Sequence, residues 1–80
     1  MGKDKPEFKE GDLKKLGERI RALRIKKGYS NYENFAFEHD IARAQYGKYE
    51  KGEDLRYSSL MKVIRALGLT PKDFFSEGFD

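Results

Sequence analysis

The sequence predicts an all-α fold, and three features indicate it. Two segments, from Leu13 to Leu23 and from Leu60 to Leu67, carry aliphatic residues at spacings of three and four. This spacing places the apolar side chains on one side of a helix. A glycine follows each segment, at Gly28 and Gly68, where it suits the end of a helix. The chain lacks the alternation of apolar and polar residues that predicts strands, so we expect helices alone.

Composition limits the organisation and chemistry of the chain. Its 80 residues suffice for one compact domain and leave no room for a second. The sequence has no cysteine and one histidine, His39, which excludes disulfides and thiolate metal sites, so we expect no metal and no other cofactor. The first ten residues are charged throughout and lack the apolar segment of a secretory signal, which predicts a cytoplasmic protein.

Positive charge is concentrated near the start of the chain. The net charge is +3, yet residues 12–28 contain seven basic residues against two acidic ones. Such a cluster is typical of a protein that binds a polyanion, and it is as often the solvated side of a helix. Charge alone therefore leaves the function open.

The first helix is predicted to begin at Asp12 and to end at Gly28. Residues 1–11 contain Pro6 and Gly11, carry mixed charge and lack an apolar stripe. We expect them to form a flexible charged N-terminal arm. Residues 12–80 then form the folded domain.

Two short helices are predicted next, separated by a tight turn. Asn31 can cap a helix from Tyr32 to His39 that places Phe35 and Ala36 inward, and Asp40 ends it. A further helix from Arg43 to Lys51 would bury Tyr46 and Tyr49, with Ile41 just before it and Gly52 after it.

The last two helices carry clear start signals. Ser58 or Ser59 is the expected cap of the fourth helix, whose apolar stripe ends before Gly68. Thr70 then offers a hydroxyl cap, with proline at the first helical position and an acid three residues after the threonine. The fifth helix carries Phe74 and Phe75, of which only one can face the core because they are adjacent.

These elements carry a set of residues that resembles a known family. Two short helices joined by a tight turn are the scaffold that lays a helix into the major groove of DNA. The set comprises the segment Leu16-Gly17 to Leu23-Arg24, Phe35-Ala36, Ile41, Glu50-Lys51-Gly52, and Leu60 to Gly68 followed by Thr70 to Phe75. In this order and spacing it resembles the lambda-repressor-like (Cro/XRE) helix-turn-helix family from about Leu13 to Phe75.

The resemblance implies a compact five-helix domain that binds double-stranded DNA sequence-specifically as a small transcriptional regulator. A homodimeric repressor reading a palindromic operator is the expected form. The resemblance also implies an ion pair between Arg24 and Glu50. This pair fixes the height of the third helix, the recognition helix, above the rest of the domain. It places Arg43, Ala44 and Lys48 at base-reading positions.

The chemistry of the third helix agrees with this role. With Tyr46 and Tyr49 inward, the opposite side is expected to present Arg43, Ala44, Gln45, Gly47, Lys48 and Lys51. Arginine suits guanine, an alanine methyl group suits thymine, and lysine neutralises phosphate. Gly47 could let a bare backbone approach DNA, or it could be a neutral substitution. The expected phosphate-binding or supporting residues are Tyr32, Gln45, Gly47, Lys51 and Arg56.

Several residues depart from the family pattern. Tyr32 stands where glutamine is common, and Asp40 where glycine is common. Glu53 and Asp54 lie in a loop that often contacts phosphate, so we expect this loop to point away from DNA or to carry only Arg56 towards it. These acids, with Glu33 and Glu38, keep open an alternative: an antitoxin or protein-interaction adaptor with the same fold.

Two further expectations concern partners and catalysis. Phe74, Phe75 and Phe79 are candidate dimer contacts, although core packing explains at least one of them. The sequence offers no nucleophile with a base, metal cluster or phosphate-binding glycine loop, so we expect no enzyme. We expect no membrane association, and a toxin or another protein is a possible partner.

Overall fold

The computed structural model describes residues 10–80 and contains five helices joined by short connections. They are α1 (Glu10–Lys26), α2 (Tyr32–Glu38), α3 (Arg43–Glu50), α4 (Tyr57–Ala66) and α5 (Pro71–Phe74). The all-α prediction is confirmed. None of the helices between residues 10 and 80 has the length and apolar character that crossing a bilayer requires.

The helix ends follow the predicted signals closely, with two differences at helix starts. Helix α1 begins at Glu10, so Glu10 and Gly11 of the predicted arm are helical, and residues 1–9 lie outside the described residues. Helix α4 begins at Tyr57 after Arg56, whose side chain makes no capping hydrogen bond. The prediction of a cap at Ser58 or Ser59 is therefore wrong, because both residues already have helical backbone.

Two predicted caps are confirmed by hydrogen bonds. The Asn31 side chain accepts from the backbone amides of Glu33 and Asn34, at 2.7 and 3.1 Å. Thr70 Oγ1 accepts from the amide of Asp73 at 3.2 Å, and Pro71 is the first residue of α5. These bonds satisfy amides that have no partner within the first turn of a helix.

The core forms where all five helices meet. Its members are almost or wholly inaccessible to solvent, and they are Ile20, Phe35, Ala36, Tyr46, Tyr49, Val63, Ile64, Leu67 and Phe74. Ile41 is partly buried against this core, at the turn between α2 and α3. Phe74 is buried while Phe75 is exposed, as expected for adjacent residues on a short helix.

The turn between α2 and α3 contains Asp40 in the left-handed region, with φ of 58°. The amide of Ile41 donates to the carbonyl of Ala36 at 2.8 Å, and the Asp40 carbonyl accepts from Lys62 Nζ at 2.7 Å. An aspartate thus adopts the conformation that usually favours glycine at the end of a helix. This conformation sets the direction in which α3 leaves α2.

Candidate nucleic-acid interface

The inner side of α3 is anchored by two tyrosines. Tyr46 is wholly buried and Tyr49 nearly so. The ring of Tyr46 lies 5.3 Å from that of Phe35 and 6.3 Å from that of Tyr49, measured between ring centroids. Aromatic pairs at these separations add to the stabilisation from burial. One side of α3 is thereby fixed to the core, as predicted.

The C-terminal end of α3 is held by an ion pair between Arg24 and Glu50. Arg24 Nε donates to Glu50 Oε2 at 3.0 Å, and Arg24 Nη2 donates to Glu50 Oε1 at 2.8 Å. The two side chains are 5% and 7% exposed. The geometry is bidentate, which fixes direction as well as distance.

Arg24 also joins this pair to the connection between α1 and α2. Its Nη1 donates to the carbonyl of Tyr29 at 2.8 Å. The hydrogen bonds that Arg24 donates to the Glu50 carboxylate raise the pKa of Arg24, so the guanidinium stays charged. Burial, with the nearby Glu50 carboxylate, raises the pKa of Tyr46 well above its usual range. Since a buried charge needs a partner, Arg24 and Glu50 depend on each other.

The outer side of α3, together with the C-cap residue that follows it, carries three exposed residues in one row. Ala44, Lys48 and Lys51 are separated by four and three residues, so they lie above one another along the helix. We call these residues the outer row. The basic groups are thus directed away from the tyrosines that anchor the helix.

The other predicted residues of α3 lie beside the outer row. Arg43 is exposed at the first position of the helix, and Gln45 is exposed on the side that faces α4. At about 100° per residue, Arg43 falls in line with position 47 and not with the outer row. The predicted base-reading residues therefore occupy two neighbouring rows.

Gly47 corrects the sequence analysis, because it is buried and not exposed. A Cβ atom at position 47 would lie 2.9 Å from Tyr32 Oη and 3.0 Å from Cε1 and Cζ of the same ring. The ring of Tyr32 therefore occupies the space that a side chain would need. The sequence holds a signal for this contact, a glycine in the middle of a helix, but it does not show which residue fills the space.

An open groove separates α3 from the start of α4. Its lining residues come from α3, from the connection and from α4, and they are Gln45, Tyr49, Asp54, Leu55, Arg56 and Ser59. An oxygen of Asp54 accepts from the Leu55 amide at 2.8 Å. Asp54 of the acidic loop lines the same groove as Gln45 and Arg56. That the loop points away from DNA stays a prediction.

Part of the basic charge of α1 contacts the C-terminal residues instead of facing solvent. Arg19 Nε donates to the Phe74 carbonyl at 2.9 Å, and Nη2 donates to the Asp73 carbonyl at 3.1 Å. Lys15 Nζ donates to the Asp80 carbonyl at 3.1 Å. This role of Arg19 could not be predicted, because a carbonyl acceptor at the end of a distant helix leaves no sequence signal.

Comparison with known proteins agrees with this architecture. A family model described as helix-turn-helix matches residues 20–74. The chain is 33% identical over 59 residues to Control protein C.BamHI of Bacillus amyloliquefaciens, and the alignment covers 72% of this chain and 73% of that protein. No solved structure matches the chain. The chain therefore belongs to the Cro/XRE helix-turn-helix family and is a sequence-specific, DNA-binding transcriptional regulator.

Proposed function

We propose that α3 enters the major groove of an operator with its outer row facing the bases. The observation that carries this proposal is the two-sided character of the helix. Tyr46 and Tyr49 anchor one side, while Lys48 and Lys51 are exposed on the other. A helix fixed in this way can enter the groove without rearranging its supports.

Base reading is assigned to Arg43, Ala44 and Lys48. Arg43 can donate two hydrogen bonds to the O6 and N7 atoms of a guanine, and the Ala44 methyl group can contact a thymine. Lys48 lies one turn after Ala44 and can donate to a guanine. All three residues are exposed, which the assignment requires.

Phosphate binding and support are assigned to residues around these three. Lys51 continues the outer row, and Gln45 and Arg56 line the groove between α3 and α4. Tyr32 lies on the side of α3 opposite to this groove, where Gly47 makes room for its ring. Contacts on both sides of a recognition helix fix its register on the duplex.

We infer that the functional unit is a homodimer with its contacts at the C-terminal phenylalanines. Phe75 is 46% exposed, and its ring centroid lies 4.9 Å from those of Phe74 and Phe79. Arg19 fixes this end of the domain through the carbonyls of α5. A two-fold dimer would meet a roughly palindromic operator with half-sites one helical turn apart, about 34 Å.

The regulator is proposed to act as a repressor in the cytoplasm, by binding alone and without catalysis. A domain that occupies the major groove of its operator can block other proteins from that site. The name of the relative from Bacillus amyloliquefaciens, a control protein, is in keeping with a regulatory role.

A second candidate function is binding of another protein, such as a toxin. The aromatic ring of Phe37 is 78% exposed on α2, and the same helix carries Glu33 and Glu38. An exposed aromatic side chain among acids suits a basic protein surface. This candidate predicts weak, salt-insensitive binding to DNA.

Selection from a random duplex pool tests the proposal and separates the two candidates. The best sequence is then titrated against the protein by fluorescence anisotropy at several salt concentrations, with a scrambled duplex as control. We expect an inverted repeat, bound with an affinity that falls steeply as salt rises. No enrichment, with negligible binding at low salt, would contradict operator reading and favour protein recognition.

A further inference from the structure

The two ends of α3 are held in different ways. The C-terminal end is fixed by the buried, bidentate pair between Arg24 and Glu50. The N-terminal end follows Ala42, whose methyl side chain offers no oxygen to cap the helix. The position of the first turn of α3, which carries Arg43, therefore depends on the turn that precedes it.

That turn is attached to α4 by Lys62. The Nζ atom of Lys62 donates to the carbonyl oxygen of Asp40 at 2.7 Å, and 22 positions separate the two residues in the chain. Asp40 is the residue in the left-handed conformation, three residues before Arg43. A hydrogen bond from a charged donor is stronger than one between neutral groups. Lys62 thus links the start of the recognition helix to a helix outside the helix-turn-helix motif.

Helix α4 gives this link a fixed base. Val63 and Ile64, the two residues after Lys62, are wholly buried in the core. Lys62 itself is exposed, so replacing it leaves the core intact. Loss of its hydrogen bond should therefore change the direction of α3 more than the stability of the fold.

Lys62 also lies close to residues proposed to contact DNA, since it lines a groove with Gln45 and Ser59. A lysine that bound phosphate directly would, when removed, weaken binding to every duplex alike. A lysine that orients α3 would, when removed, weaken binding to the operator alone. The geometry favours orientation, because the ammonium group already donates to the Asp40 carbonyl.

We propose that Lys62 is a positioning residue for base reading. By holding the Asp40 carbonyl, it sets the direction of the first turn of α3 and so aligns Arg43 and Ala44 with the bases. A bidentate contact between arginine and guanine depends on such alignment. This inference rests on the proposed function, since it assumes that α3 enters the major groove.

Lys62→Met tests the inference, because it removes the ammonium group and keeps an aliphatic side chain. We expect affinity for the operator selected with the unchanged protein to fall about three- to tenfold. Binding to a scrambled duplex, its dependence on salt and the melting temperature of the protein should be kept. Lys62→Arg retains a donor for the carbonyl and should keep most of the operator affinity.

Arg65→Met is the matched control for the loss of charge. It removes one positive charge from another exposed position of α4. We expect it to keep the discrimination between the operator and the scrambled duplex that the unchanged protein shows. The effect of Lys62→Met on this discrimination is therefore measured relative to Arg65→Met.

A cap introduced at the start of α3 tests whether Lys62 acts through that end of the helix. Ala42→Ser supplies a hydroxyl that can accept from an amide in the first turn, which fixes the same end without Lys62. The gain in operator affinity from Ala42→Ser should be greater in the Lys62→Met background than in the unchanged protein. Equal gains in the two backgrounds would contradict this route.

Two further results would overturn the inference. One is discrimination between the duplexes by Lys62→Met that equals that of Arg65→Met. The other is an equal loss on both duplexes with a weaker dependence on salt, which would mean that Lys62 binds phosphate. If the unchanged protein selects no operator, the proposed function fails first, so the two failures are distinguishable.

Discussion

Gly17 of α1 lies in direct contact with the backbone of Glu50 at the end of α3. A Cβ atom at position 17 would lie 2.7 Å from the Glu50 carbonyl oxygen and 2.8 Å from that of Tyr49. A glycine is required here because a backbone carbonyl, unlike the end of a flexible side chain, cannot turn aside. This contact sets how closely the recognition helix lies against the domain.

Replacing Gly17 should therefore destabilise the protein. Gly17→Ala forces α1 and α3 apart, and we expect the free energy of unfolding in urea to fall by about 1–3 kcal/mol. Gly11→Ala is the matched control, because position 11 is open; there the greater helix propensity of alanine should raise stability by up to about 1 kcal/mol. Equal changes for the two variants would contradict the close contact.

Removing one partner of the Arg24–Glu50 pair should lower the free energy of unfolding more than replacing both partners. Glu50→Ala leaves the Arg24 guanidinium buried without its carboxylate, and a loss of about 3–5 kcal/mol in the free energy of unfolding is expected. Arg24→Met combined with Glu50→Leu replaces the pair by apolar groups and should recover most of that loss. Additive losses in the double variant, measured by the same denaturation, would show that the two residues act independently.

Stability should fall at alkaline pH because of Tyr46. Burial raises the pKa of Tyr46 in the folded protein, so above a pH of about 10 the unfolded chain loses the tyrosine proton while the folded protein keeps it. The folded state then binds more protons, and the free energy of unfolding decreases as pH rises, by up to about 1.4 kcal/mol per pH unit for one group.

The variant Tyr46→Phe tests this dependence. It also removes a buried hydroxyl without a hydrogen-bond partner, so its stability near neutral pH should equal or exceed that of the unchanged protein. Between pH 10 and 11, the free energy of unfolding of this variant should decrease less than that of the unchanged protein. A decline as steep as that of the unchanged protein, followed by circular dichroism during urea denaturation, would refute the role of Tyr46.

Asp40 is a position where stability can be gained. Its φ of 58° is unfavourable for a residue with a side chain, and glycine adopts it freely. We expect Asp40→Gly to raise the free energy of unfolding by about 0.5–1 kcal/mol, seen as a higher melting temperature. Gly28→Ala replaces a glycine by a residue with a side chain at a φ of 108°, so it should lower the melting temperature. A lower melting temperature for Asp40→Gly would show that the aspartate side chain has a stabilising role.

Local signals in the sequence predict the helices well. The apolar stripes, the Asn31 and Thr70 caps and the glycines after the helices depend on neighbours within one or two turns, so they can be recognised without the fold. The predicted start of α4 is wrong because Ser58 and Ser59 are favoured capping residues, whereas the observed cap position is Arg56, whose side chain makes no capping hydrogen bond. The choice among these residues depends on the tertiary position of the connection.

Contacts between distant residues explain what sequence reasoning missed at the site. A helical projection treats α3 alone, so it counts Gly47 as exposed, although Tyr32 from another helix covers it. A projection of α1 alone likewise counts Arg19 as a solvent-exposed charge, although its guanidinium donates to the carbonyls of Asp73 and Phe74 in α5. The Arg24–Glu50 pair came from family resemblance, since 26 residues separate its partners.

The most direct test of operator reading compares Arg43→Ala with Lys51→Ala on the selected operator and a scrambled duplex. If Arg43 reads a base, its loss should reduce discrimination between the duplexes by about 1–3 kcal/mol. Lys51→Ala should weaken binding to both duplexes alike and reduce the dependence on salt. Equal losses on both duplexes for Arg43→Ala would contradict base reading at that position.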